Sequence, residues 1–267
     1  MSDDRPIGMF DSGFGGLTVA RAVIDLLPFE DLVYLGDTGR YPYGPRPLAQ
    51  VRAYARQIAH HLVERFDVKM LVVACNTAAS AVDLSDELDI PVVGVIDPGV
   101  RSLVRATQTG RVGVIGTVGT VGSGAYQRAV AAHAPEVELT CAACPGFVEF
   151  VERGEVDSDQ VVVLAERLLA PVKDAKVDAL LLGCTHYPFL ARTISDVVGR
   201  DVVLVSSADE TAFELLSMLQ WSDLARPPEL GPGRHTWLSS GDVRWFRDLG
   251  SRLLGPELDE VEAVQWP

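Results

Sequence analysis

Residues 72–79 read VVACNTAA, and residues 180–187 read LLLGCTHY. In each stretch an apolar run of strand character leads straight into a cysteine, with a threonine close behind: Cys75-Asn76-Thr77, then Cys184-Thr185-His186. The cysteines lie 109 positions apart, in opposite halves of a 267-residue chain. A strand, a polar turn and a helical stretch recurring at that spacing predict two like-folded halves. Working outward, Ile7–Phe10 reads as a strand followed by Asp11-Ser12-Gly13-Phe14-Gly15-Gly16, and Leu17–Leu27 as a helix stopped by Pro28. Leu32–Leu35 is a second strand, Leu48–Phe66 a long amphipathic helix, Met70–Ala74 the strand before Cys75 and Thr77–Leu88 its helix. After a strand at Pro91–Val95 the pattern restarts. Val112–Ile115, Val137–Thr140, Ala179–Leu182 and Val202–Val205 read as strands, with helices near Gly124–His133, at Val161–Leu169 and after Pro188. Strands alternating with helices predict parallel sheets covered on both faces. The expected fold class is therefore α/β, with two similar doubly wound domains, mainly parallel sheets and an active site in the cleft between them. The segment from Ala208 adds a helix, a strand at Thr236–Ser239 and a helix at Val243–Leu254. It is expected to return to the first domain, which gives residues 1–97 with 208–267 as one domain and residues 98–207 as the other.

Composition narrows the function classes. The chain is 48% hydrophobic and 22% charged, ordinary for a folded protein. A net charge of −14 argues against nucleic acid or a membrane surface as a general partner. No apolar run approaches a membrane span, and MSDDRP has neither the basic nor the apolar part of a signal peptide. A cytoplasmic location is expected. There are four cysteines, Cys75, Cys141, Cys144 and Cys184, expected as reduced thiols.

Ligands of open α/β sheets collect at the carboxyl ends of strands. Cys75 and Cys184 both stand there, just before predicted helices whose N-terminal field lowers a thiol pKa. A lone free cysteine is ordinarily a small buried hydrophobe. The repetition of strand, Cys and polar turn argues for chemistry instead. Two thiols on opposite walls of one cleft suit removing a proton from one face of a carbon and returning it to the other. Cys141 and Cys144 have no matching second pair and read as buried hydrophobes, with no metal implied. Gly13-Phe14-Gly15-Gly16 follows a strand, with Asp37 at a suggestive distance for a dinucleotide turn. Thr18 stands at the third glycine position, however, and Asp11 puts a carboxylate where a pyrophosphate needs donors. A close backbone approach to a small cationic group fits better.

Four loops together, FDSGFGGLTV, GDTGRYPYGPRP, ACNTAAS and GCTHYP, resemble those of the glutamate racemases, in the cofactor-independent aspartate/glutamate racemase superfamily. Gly116-Thr117 with Thr120 and the stretch CPGFVEFVERG at 144–154 extend the likeness. The resemblance implies two α/β domains, no cofactor, and interconversion of L-glutamate and D-glutamate by two bases, Cys75 and Cys184. It also implies that Asp11 and Glu152 assist Cys75 and that His186 assists Cys184. Substrate contacts are implied for Asp11, Ser12, Tyr43, Gly44, Asn76, Thr77, Thr117, Thr120, Thr185 and His186. His186 is expected to hold a proton near neutral pH. The implied role is D-glutamate supply for peptidoglycan, with a second copy of the chain as a candidate partner. Aspartate racemase is the rival enzyme, although similar aspartate enzymes tend to carry Glu at the position of His186. A pyridoxal-phosphate racemase needs a Schiff-base lysine, and Lys69, Lys173 and Lys176 lie outside every motif loop. A non-catalytic two-domain ligand-binding protein would have no use for two opposed cysteines.

Overall fold

The computed structural model describes residues 3–258 and 260–266. The strands, in chain order, are β1 (Ile7–Asp11), β2 (Leu32–Gly36), β3 (Met70–Val73), β4 (Val92–Gly94), β5 (Arg111–Gly116), β6 (Glu138–Ala143), β7 (Ala179–Gly183), β8 (Val203–Val205), β9 (His235–Ser239) and β10 (Glu262–Ala263). They form two sheets in two compact units, Met1–Val95 with Ala208–Pro267, and Ile96–Ser207. The first crossover falls at Val95, not after residue 97, because Ile96 already opens a helix, Ile96–Ala106, that packs on β7 and β8.

The first sheet has the order β10-β9-β2-β1-β3-β4, and its pairings are parallel. Side chains alternate between its faces, as the two-residue period of a strand requires. Ile7, Met9, Tyr34 and Val72 join one core with the helices Leu17–Leu26, Ala208–Trp221 and Val243–Leu254. Phe10, Leu35, Leu71 and Val73 point the other way, into a core closed by the helix Leu48–Phe66. That helix buries Val51, Ala55, Ile58, Ala59 and Leu62, a stripe at helical spacing, and stops where Asp67 turns left-handed at φ 50°. Each fully buried aliphatic side chain in these layers contributes about 1.5–3 kcal/mol.

The second sheet has the order β6-β5-β7-β8, again with parallel pairings. Ile115, Leu180 and Leu182 pack beneath the helices Asp159–Leu168 and Ala191–Val198. The chain runs from β1 out to β2, then back across β1 to β3. In the second sheet it runs from β5 out to β6, then back to β7. Each reversal leaves a crevice at the carboxyl ends of two neighbouring strands, where an α/β sheet offers room for a ligand. Cys75 follows β3 and Cys184 follows β7. Both cysteines therefore stand at the reversal point of their own sheet. Among the described residues no helix is long and apolar enough to cross a membrane.

Candidate active site

In the first unit, β1 delivers Asp11 at its last position, fully buried. The Gly13 N–H donates to Asp11 Oδ1 at 2.8 Å, which turns the chain sharply toward the helix at Leu17. Gly16 lets this turn close. A Cβ there would lie 2.6 Å from Asp11 Cβ and 2.8 Å from the Tyr34 hydroxyl. One strand over, Cys75 caps the helix Asn76–Ala81, and its sulfur accepts the Ala78 N–H at 3.5 Å. The thiol donates to Ser12 Oγ at 3.7 Å, so the loops after β1 and β3 meet at the sulfur. Asn76 and Thr77 are buried beside it. Tyr43 is buried as well, and its hydroxyl donates to Asp37 Oδ2. Burial and the Asp37 charge raise the phenol above its ordinary range, so it remains a donor. Gly44 follows, half-buried.

The electrostatics of Cys75 correct one expectation. Burial, then the Asp11 carboxylate, push the thiol up to about 12, and hydrogen bonds from Ala78 and with Ser12 offset only part of this. The helix behind it has six residues, too short a field to outweigh desolvation of a residue only 4% exposed. Cys75 is thus a protonated thiol at neutral pH in the ligand-free protein.

In the second unit, Gly116 of β5 pairs with Gly183 of β7, which brings Thr117 and Cys184 out of adjacent strand ends. Thr117 caps the helix Val118–Gly122 by accepting the Thr120 N–H at 3.2 Å, and the two hydroxyls lie 3.0 Å apart. Cys184-Thr185-His186 form a tight turn, closed by the Tyr187 N–H donating to the Cys184 carbonyl at 3.0 Å. A 3-10 turn, Tyr187–Leu190, follows before the helix Ala191–Val198, where the sequence predicts a helix directly after Pro188. Tyr187 anchors the turn. Its hydroxyl donates to the Cys144 carbonyl at 3.0 Å and its ring meets Phe147 edge-on at 5.3 Å. His186 is buried, and desolvation lowers it to about 4. The imidazole is therefore neutral near pH 7, contrary to the sequence expectation. Glu152, on the helix Phe147–Arg153, brings Oε1 to 4.0 Å from His186 Nε2. Within its unit it keeps company with His186, whereas the resemblance assigns it to Cys75.

The structure gathers Asp11, Ser12, Cys75, Asn76 and Thr77 at one sheet reversal, and Thr117, Thr120, Cys184, Thr185, His186 and Glu152 at the other. Burial pushes Cys141 and Cys144 up to about 11 and about 12, consistent with inert packing thiols. Lys69 is committed elsewhere: its ammonium lies 2.6 Å from Glu30 and donates to the Asp3 and Leu224 carbonyls. Among the described residues no group of three or more His, Cys, Asp or Glu side chains is placed to hold a metal ion. Sequence reasoning missed the use of Asp37, considered there only as a dinucleotide partner. Its signal was its place directly after β2, the counterpart of Asp11 at the end of β1.

Known proteins fit this geometry. Residues 18–214 match the model of the Asp/Glu/hydantoin racemase family. A glutamate racemase of Acidothermus cellulolyticus is 52% identical over 97% of this chain and 98% of its own length. The crystal structure of a Bacillus anthracis glutamate racemase superposes with a TM-score of 0.93 at 40% identity, covering 98% of each chain. That of a Francisella tularensis glutamate racemase in complex with D-glutamate gives 0.90 at 34% identity, again covering 98% of each chain. By both sequence and fold, the chain belongs to the Asp/Glu/hydantoin racemase family.

Proposed function

We propose that this protein interconverts L-glutamate and D-glutamate, with Cys75 and Cys184 as the two acid/base groups and no cofactor. The observation that carries the reading is the duplicated strand–Cys–Thr loop at each sheet reversal, each cysteine sharing its crevice with a buried acid/base side chain. The glutamate racemases to which the chain is similar support glutamate as the substrate.

The α-proton of an amino acid is a very weak acid. A thiolate removes it only when fixed donors stabilise the negative charge that develops on the carboxylate side. Asn76, Thr77, Thr117 and Thr185 supply such donors in this reading, with Ser12, Thr120, Tyr43 and Gly44 completing the enclosure. Asp11 takes the substrate ammonium. That pairing also neutralises the Asp11 charge, the second of the two causes, after burial, that keep Cys75 protonated, so binding itself favours the thiolate. Neutral His186, with Glu152 behind it, exchanges a proton with Cys184. One cysteine must be thiolate and the other thiol at the same moment, so the roles exchange with the hand of the substrate. The product serves peptidoglycan synthesis, in the cytoplasm, where D-glutamate is required as a building block.

The test is racemisation of L-glutamate by the purified protein in D₂O, after dialysis against a chelator, followed by polarimetry and NMR. Early product should carry deuterium at the α-carbon while the remaining substrate stays mostly protiated. Substantial protium carried from substrate into product would indicate one base acting on both faces and would defeat the two-cysteine reading. Comparable turnover of aspartate would replace glutamate as the substrate, since a site built for the longer side chain leaves donors unpaired on the shorter one.

A further inference from the structure

Asp37 is a buried carboxylate with all its oxygens in use. Oδ2 accepts from the Tyr43 hydroxyl and from Arg40 Nε at 2.7 Å. Oδ1 accepts from Ser240 Oγ at 2.6 Å and from Trp266 Nε1 at 2.9 Å. The first two partners belong to the loop that presents Tyr43 and Gly44. The other two arrive from more than 200 residues away, Ser240 just after β9 and Trp266 just after β10. The indole is itself held in place. The Arg40 guanidinium lies over its ring at 4.5 Å, and His61 meets it edge-on at 5.5 Å. The Val264 N–H donates to the Ser239 carbonyl at 2.8 Å, which fixes the approach of the segment.

A buried carboxylate oxygen that loses an N–H donor leaves part of its charge uncompensated, and it re-orients toward the donors that remain. For Asp37 those are Tyr43, Arg40 and Ser240. The phenol of Tyr43, which donates to the same carboxylate, would move with it. We propose that Trp266 is a positioning residue for the Tyr43–Gly44 loop, acting through Asp37 as a clasp between the 262–266 segment and the substrate-binding side of the first unit. The proposal rests on the reading of Tyr43 and Gly44 as glutamate contacts.

Trp266→Phe removes the indole N–H and keeps a smaller aromatic ring to face Arg40 and His61. It should raise KM for both glutamate enantiomers about tenfold, the loss of one charge-assisted hydrogen bond, and change kcat less than about twofold. Tyr43→Phe, which removes the other end of the relay, should raise KM similarly. The double variant should be no worse than the poorer single one, because coupled residues are non-additive. Additive losses, or a Trp266→Phe KM equal to that of the parent, would overturn the clasp. Hydrogen exchange of the whole protein, read by mass spectrometry, needs no substrate. Trp266→Phe should speed exchange across residues 38–47 and leave the peptides of β1 and β3 unchanged. Unchanged exchange at 38–47 overturns the clasp whatever the substrate is, and faster exchange in a protein that does not act on glutamate upholds the clasp while rejecting the glutamate reading.

Discussion

A thiol pushed up to about 12 sets a measurable property of Cys75. At pH 7 its thiolate fraction in the ligand-free protein is about one in 10⁵, against about one in 30 for an ordinary cysteine. Alkylation of Cys75 by iodoacetamide, followed by peptide mass spectrometry, should be slow at pH 7 and rise about tenfold per pH unit through pH 10. A rate that levels off near pH 8.5 would contradict the electrostatics. The sign for stability follows from the same shift. The folded value lies above the unfolded one, so the contribution is complete below about pH 9 and is lost as pH rises toward about 12. At this scale the sequence placed both cysteine loops at strand ends, as the structure has them, but not their charge states. The loops around Cys75 and His186 were legible because an apolar strand, a Cys and a Thr recur in both halves of the chain. Their protonation depends on how much water the rest of the fold removes, which no local stretch encodes.

Among the elements, the short helix Val118–Gly122 is capped by one side chain, that of Thr117. Thr117→Val keeps the shape and removes the hydroxyl that accepts the Thr120 N–H. We expect a loss of about 1 kcal/mol, seen as a fall in Tm of roughly 2–4 °C, with reduced turnover of glutamate. Unchanged Tm would show that water replaces the cap. Elements with a strong period were legible: Leu48–Phe66 runs as the sequence predicts, because its buried stripe never breaks. Thr77–Leu88 does not. The helix ends at Ala81, Val82 is extended at φ −149°, and Asp83 turns the chain by accepting the Ser85 N–H at 3.0 Å. The helix Ile96–Ala106 escaped notice because Pro98 and Gly99 look like breakers. Pro98 sits in the first turn, where its missing N–H costs nothing. Gly99 is small for packing reasons, since a Cβ there would come within 3.2 Å of Leu181 and Ser207 side-chain atoms. Trp266 was unreadable for a different reason: its partner lies 229 positions away.

For the molecule as a whole, the buried pair of Lys69 and Glu30 joins distant parts of the first unit. The Lys69 ammonium also holds the Asp3 and Leu224 carbonyls, and Glu30 Oε1 accepts the Arg226 N–H at 2.8 Å. Lys69→Ala strands a buried carboxylate and should cost about 3–5 kcal/mol in urea denaturation. Lys69→Met combined with Glu30→Gln should recover much of that. A single variant within about 0.5 kcal/mol of the parent would show the pair to be dispensable. The two-unit α/β fold was legible at this scale from the recurrence of the cysteine loops, because a doubled pattern reports on topology over a hundred residues at once.

The first sheet draws its strands from both ends of the described chain, with the second unit threaded between them. Ribosomes release a polypeptide in one direction, at about 5–20 residues per second. During synthesis β1 to β4 emerge first, and β2 must wait for β9 with its outer row of amides and carbonyls uncovered. The second unit has no such wait, since all four of its strands are consecutive in the chain. The later-made half can therefore finish folding before the earlier-made half. The interval in between is when a nascent chain of this topology is most exposed to mispairing and to chaperones that shield open strand edges.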